Sequence, residues 1–483
     1  MSPPASLARA LAAAGLVSAL AAGPAAAESI PMPESPGRGI APGAFPAAPP
    51  YAAAAIPPEI LARRDRLTLL DVLDVALRND PTTQIAWRDA RSRADTIGVA
   101  HAEWWPSLDL LLSGTRAQTV VQGGRFNAIQ TTYGPGAAVT WLVADFGERN
   151  GDIASARADA LSAVWTHGAA VQQTVLRTIE AYVAYLDAKA QLSAARITED
   201  EAKTNLDAAQ QRRDAGLATI ADVLQAKTQL SQATLAAQTI EGSIGSTRGA
   251  LATAMGLPAN VTFDAGELPA ELPAMEFGQV DDAIGKALGA RPDLASARES
   301  WLKAEADLRA TRGSWLPKLG LTGAYNRNYY EPQTYASSSN TWSIGLTLRI
   351  PVFNGLQNKY EIARAREDRE KAAAQARQVE QTVINDVWTS WYDVKTATQR
   401  VTTSKDLLGS ATESEKVALG RYREGVGSLL DLLTAQSALA TARALEIASR
   451  ADWLVAAARF LYSTGALTGP EALPRTAGDE VSR

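Results

Sequence analysis

The sequence predicts an α+β membrane protein made of two tandem structural repeats, with four β-strands in each chain. A Trp-x-Pro junction between a helical pattern and an alternating pattern occurs twice, at Trp104–Pro106 and at Trp315–Pro317. After each junction, apolar and polar residues alternate with the period of two that is typical of a strand. Each alternating region is followed by a helical pattern of almost 70 residues, which is longer than a compact domain needs.

The N-terminus has the pattern of a secretory signal peptide. Arg9 precedes an apolar run from Leu11 to Ala22, and Ala25–Ala27 provides a cleavage site, so residues 1–27 are assigned to the signal peptide. The alternative is an alanine-rich disordered start. Residues 28–66 are rich in Pro and Ala without any period, which predicts a loosely attached leader. After cleavage no run of about 18 apolar residues remains, so we expect any membrane insertion to use strands.

The composition excludes several classes of function. A net charge of -5 and a pI near 5.4 argue against a nucleic-acid partner. The absence of cysteine excludes disulfides, zinc–thiolate sites and a lipid anchor after the signal peptide. His101 and His167 lie in unrelated helical contexts, so we expect no metal, no cofactor and no enzyme activity. The glycine-rich stretch 242–249 lacks the ending of a phosphate-binding loop and is interpreted as small residues packing within a helix.

The first repeat is predicted to span residues 67–277. A helix begins near Leu67 with Thr68 as its N-cap, and Pro81 opens the next helix, which continues to about Ala102. Strands are predicted at about 106–121 and 135–145, and a long helical hairpin over 147–256 that turns at Gly216. Residues 257–277 form a Pro-punctuated connector.

The second repeat, residues 278–468, shows the same order of patterns and precedes a C-terminal tail at 469–483. Strands are predicted at about 317–330 and 340–353, followed by a helical hairpin over 355–466. The Trp-x-Pro junctions match at an offset of 211, Gly355 matches Gly147 at 208, and the glycine turns match at 209. The heptad positions of the first long helix are Leu176, Ile179, Val183, Leu186, Ala190, Ser193 and Ile197, and a shift of 208 gives Ile384, Val387, Trp391, Val394, Thr398, Val401 and Lys405.

The alternating strands are typical of a β-barrel with a lipid-facing side. In the second pair Trp342, Ile344 and Leu346 alternate with Ser343 and Gly345. Aromatic residues gather near the strand ends, as in interfacial girdles: Trp104, Trp105, Trp315, Tyr133, Tyr325, Tyr329, Tyr330 and Tyr335. The alternative is an ordinary antiparallel sheet that is solvated on one side.

Four strands cannot close a barrel with an interior, and open strand edges are not tolerated in lipid. The chain is therefore expected to share its barrel with copies of itself, and three copies give a twelve-stranded barrel.

The resemblance of the chain to a known family rests on the two Trp-x-Pro junctions, on the segments Asp145-Phe-Gly147 and Phe353-Asn-Gly355, and on the glycine turns at 215–224 and 421–433. The chain resembles the TolC-like outer-membrane efflux protein family over nearly its whole mature length. The resemblance implies a homotrimer, a barrel in outer-membrane lipid and an α-helical coiled-coil barrel across the periplasm. It also implies a periplasmic adaptor (membrane fusion) protein and an inner-membrane pump of the ABC, RND or MFS type. The implied function is the passive exit duct of a tripartite efflux pump or a type I secretion system.

The resemblance also implies a constriction at the periplasmic tip, which maps to Tyr422, Leu430 and Asp431, with Asp222 as the matching aspartate of the first repeat. Three copies of Asp431 around an axis would form an acidic ring that attracts cations, and Leu430 would add an apolar constriction. For both aspartates the alternative is a carboxylate that stabilises a helix N-terminus.

The glycine turns, Gly216–Leu217 and Gly425–Val426, are the implied adaptor-docking tips; the alternative is that their glycines only end helices. Gly427 replaces an arginine that latches the tip in TolC itself, and Thr434 replaces a common aspartate. Two alternatives concern function. One is a secreted coiled-coil scaffold or adaptor without a pore, and the other keeps the pore but makes the cargo a secreted polypeptide rather than small molecules.

Overall fold

The computed structural model describes residue 60 and residues 62–121, 126–273, 278–331 and 337–467, all within the unit that runs from Ala54 to Arg483. The predicted signal peptide, most of the predicted leader and the predicted C-terminal tail lie outside the described residues. The elements of the first repeat are α1 (Leu69–Asn79), α2 (Pro81–Ala102), β1 (Ser107–Val121), β2 (Phe126–Ala144), α3 (Glu148–Asp214) and α4 (Ile220–Ala254). Those of the second are α5 (Val280–Ala290), α6 (Pro292–Gly313), β3 (Lys318–Glu331), β4 (Ser338–Arg349), α7 (Gln357–Arg423) and α8 (Leu429–Ser463).

The two repeats match helix for helix. α3 and α7 both contain 67 residues, α4 and α8 both contain 35, and each pair begins 209 residues apart. The predicted offset of 208 between Gly147 and Gly355 is therefore wrong by one residue. Positive φ angles occur at Phe146 and Gly147 in the first repeat and at Gly355 and Leu356 in the second. Each repeat therefore has two consecutive left-handed positions before its long helix. The glycine occupies the second position in the first repeat and the first position in the second repeat, so aligning the two glycines shifts the helices by one residue.

Two strand bounds also differ from the prediction. β2 begins nine residues before the predicted residue 135, because Gly134 continues the ladder instead of ending it. A Cβ at Gly134 would lie 1.7 Å from the carbonyl oxygen of Arg327, so the close approach of two strands requires glycine there. β4 ends at Arg349 rather than at residue 353, because Pro351 has no N–H to donate to a ladder.

The start of the first repeat is fixed by capping and by contacts with the connector. The Thr68 hydroxyl accepts a hydrogen bond from the Asp71 N–H at 3.3 Å, and the Asp71 carboxylate accepts from the Thr68 N–H at 3.1 Å. The prediction of a loosely attached leader is wrong for its last residues. Ile60 is buried, and Arg63 lies 2.9 Å from the Asp71 carboxylate.

The four strands form one antiparallel sheet in the order β1-β2-β3-β4, with one bulge in β2 beside Val143. Directly paired residues of an antiparallel ladder lie on the same face. One face is therefore apolar: Leu108, Leu110, Leu112, Pro135, Ala137, Val139, Trp141, Leu319, Leu321, Gly323, Tyr325, Trp342, Ile344, Leu346 and Leu348. The opposite face is mainly polar: Ser107, Asp109, Leu111, Ser113, Thr140, Leu142, Thr322, Asn326, Ser343, Thr347 and Arg349.

The apolar face is not covered by any described part of the chain. Leu110, Trp342 and Ile344 are all more than 70% exposed. In an ordinary half-solvated sheet the apolar face packs on the core, so the exposed face disagrees with that alternative. β1 and β4 are the outer strands, and each is paired on one side only within the described residues.

The helices pack in two related groups. α3 contacts α1, α2 and α4 of its own repeat and α6 and α8 of the second, whereas α7 packs mainly against α5, α6 and α8 of its own repeat. The largest core lies where α1, α3, α4, α8 and the connector meet, and it includes Leu67, Leu73, Leu186, Leu251, Met255 and Phe263. A second core holds Val387, Val394 and Val401 of the predicted second seam. None of the helices in the described residues combines the length and the apolarity of a membrane span.

The connector after α4 is attached to α3 through Asp264. The Tyr185 hydroxyl and the Lys189 Nζ donate hydrogen bonds to Asp264 Oδ1 at 2.9 and 2.7 Å. Burial, together with the hydrogen bond to Asp264, raises the pKa of Tyr185 to about 12, so the hydroxyl keeps its proton at neutral pH. The Leu67 N–H also donates to the Asp264 carbonyl at 3.0 Å, which joins the start of the repeat to its end.

Candidate functional site: helical tips and helix–strand junctions

Each long helix ends at a glycine with a left-handed backbone. φ is +77° at Gly216 and +75° at Gly425. At the first turn the Leu217 N–H donates to the Arg212 carbonyl at 2.7 Å, and at the second the Val426 N–H donates to the Arg421 carbonyl at 3.0 Å. These are Schellman bonds, so the glycines do end helices as the alternative interpretation held. They also leave Leu217 and Val426 exposed at the apex of each turn.

The two candidate aspartates cap the returning helices. Asp222 accepts from the Thr219 N–H at 2.8 Å, and Asp431 accepts from the Ser428 N–H at 3.3 Å. Hydrogen bonds from the backbone and the hydroxyl of Thr219 lower the pKa of Asp222. Hydrogen bonds from the hydroxyl and the backbone of Ser428 lower the pKa of Asp431. Asp431 is exposed and Asp222 is partly exposed, so each aspartate caps its helix and still presents a negative charge to solvent.

Tyr422 connects the two hairpins at the tip. Its carbonyl oxygen accepts a hydrogen bond from Arg212 Nη1 at 3.0 Å, and the guanidinium carbon of Arg212 lies 4.8 Å from the centre of its ring. Tyr422 also packs against a small buried cluster drawn from both hairpins: Ala209, Val223, Ala226, Leu429, Leu432 and Leu433. Apolar packing, the Arg212–Tyr422 hydrogen bond and a cation–π contact therefore hold the two hairpins together at the tip.

Leu430 lies in a groove between the first turns of α4 and α8. Its side chain is 59% exposed, and Leu224 of α4 is exposed to a similar degree. Other residues lining the groove are Ala221, Gln225, Thr228, Gln229, Gln232, Leu407, Leu433, Thr434, Ser437, Ala438, Thr441 and Ala442. None of these described lining residues is charged, so the groove is neutral, with Leu224 and Leu430 at the end nearest the tip.

The first helix–strand junction is built around a buried arginine. Arg149 is 1% exposed, and its Nη1 donates to the carbonyl oxygens of Glu103 and Leu142 at 3.0 and 2.7 Å. Its Nε lies 3.1 Å from the Asp145 carboxylate, and its guanidinium carbon lies 4.0 Å from the centre of the Trp104 ring. Burial raises the pKa of Asp145, but the hydrogen bonds from the backbone and side chain of Arg149 and its charge outweigh this effect, so that pKa is lowered overall. The Trp-x-Pro segment ending at Pro106 is thereby fixed to the end of β2.

The second junction uses close helix contact instead. α6 ends at Gly313, where a Cβ would lie 2.5 Å from the backbone nitrogen of Glu148 at the start of α3. Trp315 follows, Pro317 precedes β3, and Lys318 pairs with the Glu148 carboxylate. The Trp315 indole N–H is buried without a hydrogen-bond partner among the described residues.

Sequence reasoning missed both arginines. Arg149 stands four residues after Asp145, and this i, i+4 spacing of opposite charges at a helix start was a readable signal. Arg212 meets Tyr422 across 210 residues of sequence, and no local pattern predicts that contact.

A metal or cofactor site does not emerge from the described residues. They contain no group of three or more His, Cys, Asp or Glu side chains that could hold a metal ion. His101 lies in the last turn of α2 and His167 lies within α3, so the two histidines do not belong to one cluster.

The sequence of the chain matches a family model and several relatives. The family model described as outer membrane efflux protein matches residues 72–257 and 283–466. Protein CyaE of Bordetella pertussis is 27% identical over 407 residues, which cover 82% of this chain and 85% of the relative. The outer membrane protein OprJ of Pseudomonas aeruginosa is 24% identical over 372 residues, which cover 76% of this chain and 77% of the relative.

Solved structures share the fold. The CmeC outer membrane channel of Campylobacter jejuni aligns with a TM-score of 0.74 at 17% identity, covering 86% of this chain and 88% of that one. The outer membrane protein VceC of Vibrio cholerae aligns with a TM-score of 0.73 at 16% identity, covering 82% of this chain and 96% of that one.

Proposed function

The chain belongs to the outer membrane efflux protein family, and we propose that three copies of it close one twelve-stranded barrel. Members of this family are outer-membrane exit ducts that conduct substrates outward and extend into the periplasm. The observation that carries the proposal is the exposed, one-sided apolar sheet with two outer strands, β1 and β4. In lipid an open edge is costly because its N–H and C=O groups have no water to bond. Pairing β4 of one copy with β1 of the next removes every edge.

The sheet then has a defined orientation in the barrel. The apolar face, with Leu110 and Ile344, contacts lipid, and the polar face, with Asp109 and Arg349, lines a water-filled lumen. Tyr133 and Tyr329 stack with ring centres 5.7 Å apart near the loop end of the sheet, which fits an aromatic girdle at the outer interface.

The constriction is proposed at the tips. Leu430 narrows the neutral groove between α4 and α8, and three copies of Asp431 place negative charge at its mouth. Asp222 adds a second ring of charge, and Tyr422 holds the hairpins together behind it.

The apices of the glycine turns are the proposed docking points for the periplasmic adaptor. Gly216 and Gly425 shape the turns, and Leu217 and Val426 provide exposed apolar contacts. An inner-membrane pump of the ABC, RND or MFS type supplies energy and direction through that adaptor.

Planar-bilayer recordings of the purified protein test the proposal. We expect a small, cation-preferring conductance, a larger conductance for Leu430→Ala and a weaker cation preference for Asp431→Ala. Leu235→Ala is the matched control, because Leu235 of α4 is similarly exposed but lies outside the groove. If neither variant differs from the control, the constriction lies elsewhere. If folded protein forms no channels, the duct is wrong and the pore-free scaffold is right.

A further inference from the structure

We infer that an aromatic patch on α7, formed by Trp388, Trp391 and Tyr392, packs against a glycine face on α4 of a neighbouring copy. The inference rests on the proposed assembly of several copies. It uses an interface that is already visible within one chain, the packing of α3 against α8. Because α7 matches α3 and α8 matches α4 at an offset of 209, closing the ring brings α7 against α4 of the next copy.

Two of the three residues of the aromatic patch, Trp388 and Tyr392, are exposed, and Trp391 is partly buried against the second core. The ring centres of Trp388 and Tyr392 lie 5.2 Å apart, and those of Trp391 and Tyr392 lie 4.9 Å apart. Trp388 is 47% and Tyr392 is 44% exposed. The Trp391 indole N–H donates to the Gly278 carbonyl at 3.2 Å, which places the patch beside the start of α5 and away from the sheet. Adjoining exposed aromatic rings on a helix away from lipid are typical of a protein–protein contact.

The matching face of the first repeat is already covered. Ile179 and Val183 stand 209 residues before Trp388 and Tyr392, and both are almost completely buried. They belong to the core that also contains Ala451 and Ala458 of α8. Within the described residues the same face of α7 has no such cover, because its covering helix belongs to another copy.

The covering helix carries glycines where α8 carries larger residues. Gly242, Gly245 and Gly249 lie on one face of α4, and their counterparts 209 residues later are Ala451, Leu454 and Ala458. A Cβ at Gly242 or Gly245 would meet no atom of the described residues within 4 Å.

A glycine inside a helix is less favourable than alanine by about 1 kcal/mol. At Gly242 and Gly245 no contact within the described chain offsets this cost. A close approach by another molecule does offset it, because the absent side chains leave room for bulky rings.

The position of α8 along the axis of α3 is consistent with this contact between copies. Arg459 Nε donates to Glu180 Oε1 at 2.8 Å, which fixes the level of α8 against α3. The residue 209 positions before Arg459 is Ala250, next to Gly249, and the residue 209 positions after Glu180 is Thr389, next to Trp388. The same packing therefore sets the aromatic patch at the level of the glycine face.

Cross-linking between introduced cysteines tests the contact, and the natural chain has no cysteine to interfere. The full-length chain carrying Ala250→Cys and Thr389→Cys is treated with a short bifunctional maleimide and examined by denaturing electrophoresis. We expect covalent dimers and trimers. The matched control is Glu180→Cys with Arg459→Cys, which stand in contact within one chain and should give a product of monomer mass.

A size-compensation experiment tests the packing itself. Gly245→Leu, which restores the leucine found at the matching position of α8, should lower the fraction of assembled protein in detergent at least tenfold. Adding Tyr392→Ala should recover most of that loss, because the smaller side chain makes room for the leucine. Gly285→Leu is the control, since Gly285 of α5 also faces open space but lies outside the proposed contact.

The outcomes separate the inference from the proposed function. Conducting trimers that give no cross-link at 250 and 389, while the control pair reacts, would overturn the contact and leave the duct intact. A Gly245→Leu variant that assembles normally would also overturn it. If the wild type and every variant remain monomeric, both the inferred contact and the proposed duct are wrong. An alanine substitution at Tyr392 that leaves assembly unchanged but abolishes adaptor binding would assign the patch to the adaptor instead.

Discussion

Arg212 of the first long helix contacts Tyr422 of the second, with Nη1 3.0 Å from the tyrosine carbonyl oxygen and the guanidinium carbon 4.8 Å from the ring centre. This contact joins the two hairpins of one chain at the end where the proposed duct is narrowest. The equivalent residue to Arg212 in the second repeat is Arg421, and the residue equivalent to Tyr422 is Arg213. Two arginines repel each other and cannot form this contact, so the repeat symmetry does not provide a second copy of it.

Replacing Arg212 should therefore widen the tip. We expect Arg212→Ala to raise the single-channel conductance, because the tyrosine loses both the hydrogen bond and the cation–π contact. Arg213→Ala is the control, since Arg213 is an exposed neighbour that pairs with Asp214 at 2.5 Å. The measurement is planar-bilayer recording of both variants. Equal conductance in the two variants would show that Arg212 does not hold the tip.

Replacing Arg149 should destabilise the first helix–strand junction. Arg149→Leu leaves the Asp145 carboxylate buried without its partner and removes donors to Glu103 and Leu142, so we expect a loss of about 3–5 kcal/mol. Asn358→Leu is the matched control, because Asn358 stands 209 residues later and is exposed. The unfolding free energy of both variants is measured by denaturant unfolding of detergent-solubilised protein, followed by tryptophan fluorescence. A loss no larger than that of the control would contradict the buried network.

The same network predicts a direction for pH dependence. The folded pKa of Asp145 is lowered, so its contribution to stability is complete above the unfolded pKa of about 3.9 and is lost as pH falls through the folded value. Asp145→Asn removes this titration. We expect the stability difference between wild type and Asp145→Asn to be largest near neutral pH and to narrow below about pH 4. A difference that stays constant over that range would mean that Asp145 is not charged in the folded protein.

The parts of the fold that could be predicted from the sequence are those that depend on local patterns. The strand period near Leu110, the heptad near Ile179 and the proline breaks at Pro106 and Pro317 each reflect the backbone of a single element. The family match confirms the architecture that these patterns predicted. The strand ends were less predictable, because Gly134 continues β2 for a reason that lies in another strand.

The candidate site likewise combines features that local sequence predicts with contacts that it does not. The capping positions of Asp222 and Asp431 follow from residues three positions away, and a helix-stabilising role was one of the two roles predicted for them. The Arg212–Tyr422 contact depends on how two hairpins meet, so no window of sequence contains it. The proposed roles of Leu430 and Asp431 in the constriction depend on further copies of the chain and remain predictions.

Two glycines with the same backbone conformation should respond differently to substitution. Gly256 ends α4 with φ of +70°, and a Cβ there would lie 2.8 Å from the carbonyl carbon and oxygen of Asn79; Gly216 has φ of +77° and open space around it. Gly216→Ala should cost about 1–2 kcal/mol, the strain of a left-handed backbone alone.

Gly256→Ala adds a steric conflict with the last turn of α1, so we expect a clearly larger loss of unfolding free energy. Gly465→Ala should resemble Gly256→Ala, because a Cβ at Gly465 would lie 2.9 Å from the Ala290 carbonyl carbon at the matching place in the second repeat. The same denaturant unfolding assay ranks the three variants. Equal losses at 216 and 256 would mean that α1 moves away freely, and the close packing between α1 and the end of α4 would then contribute little to the fold.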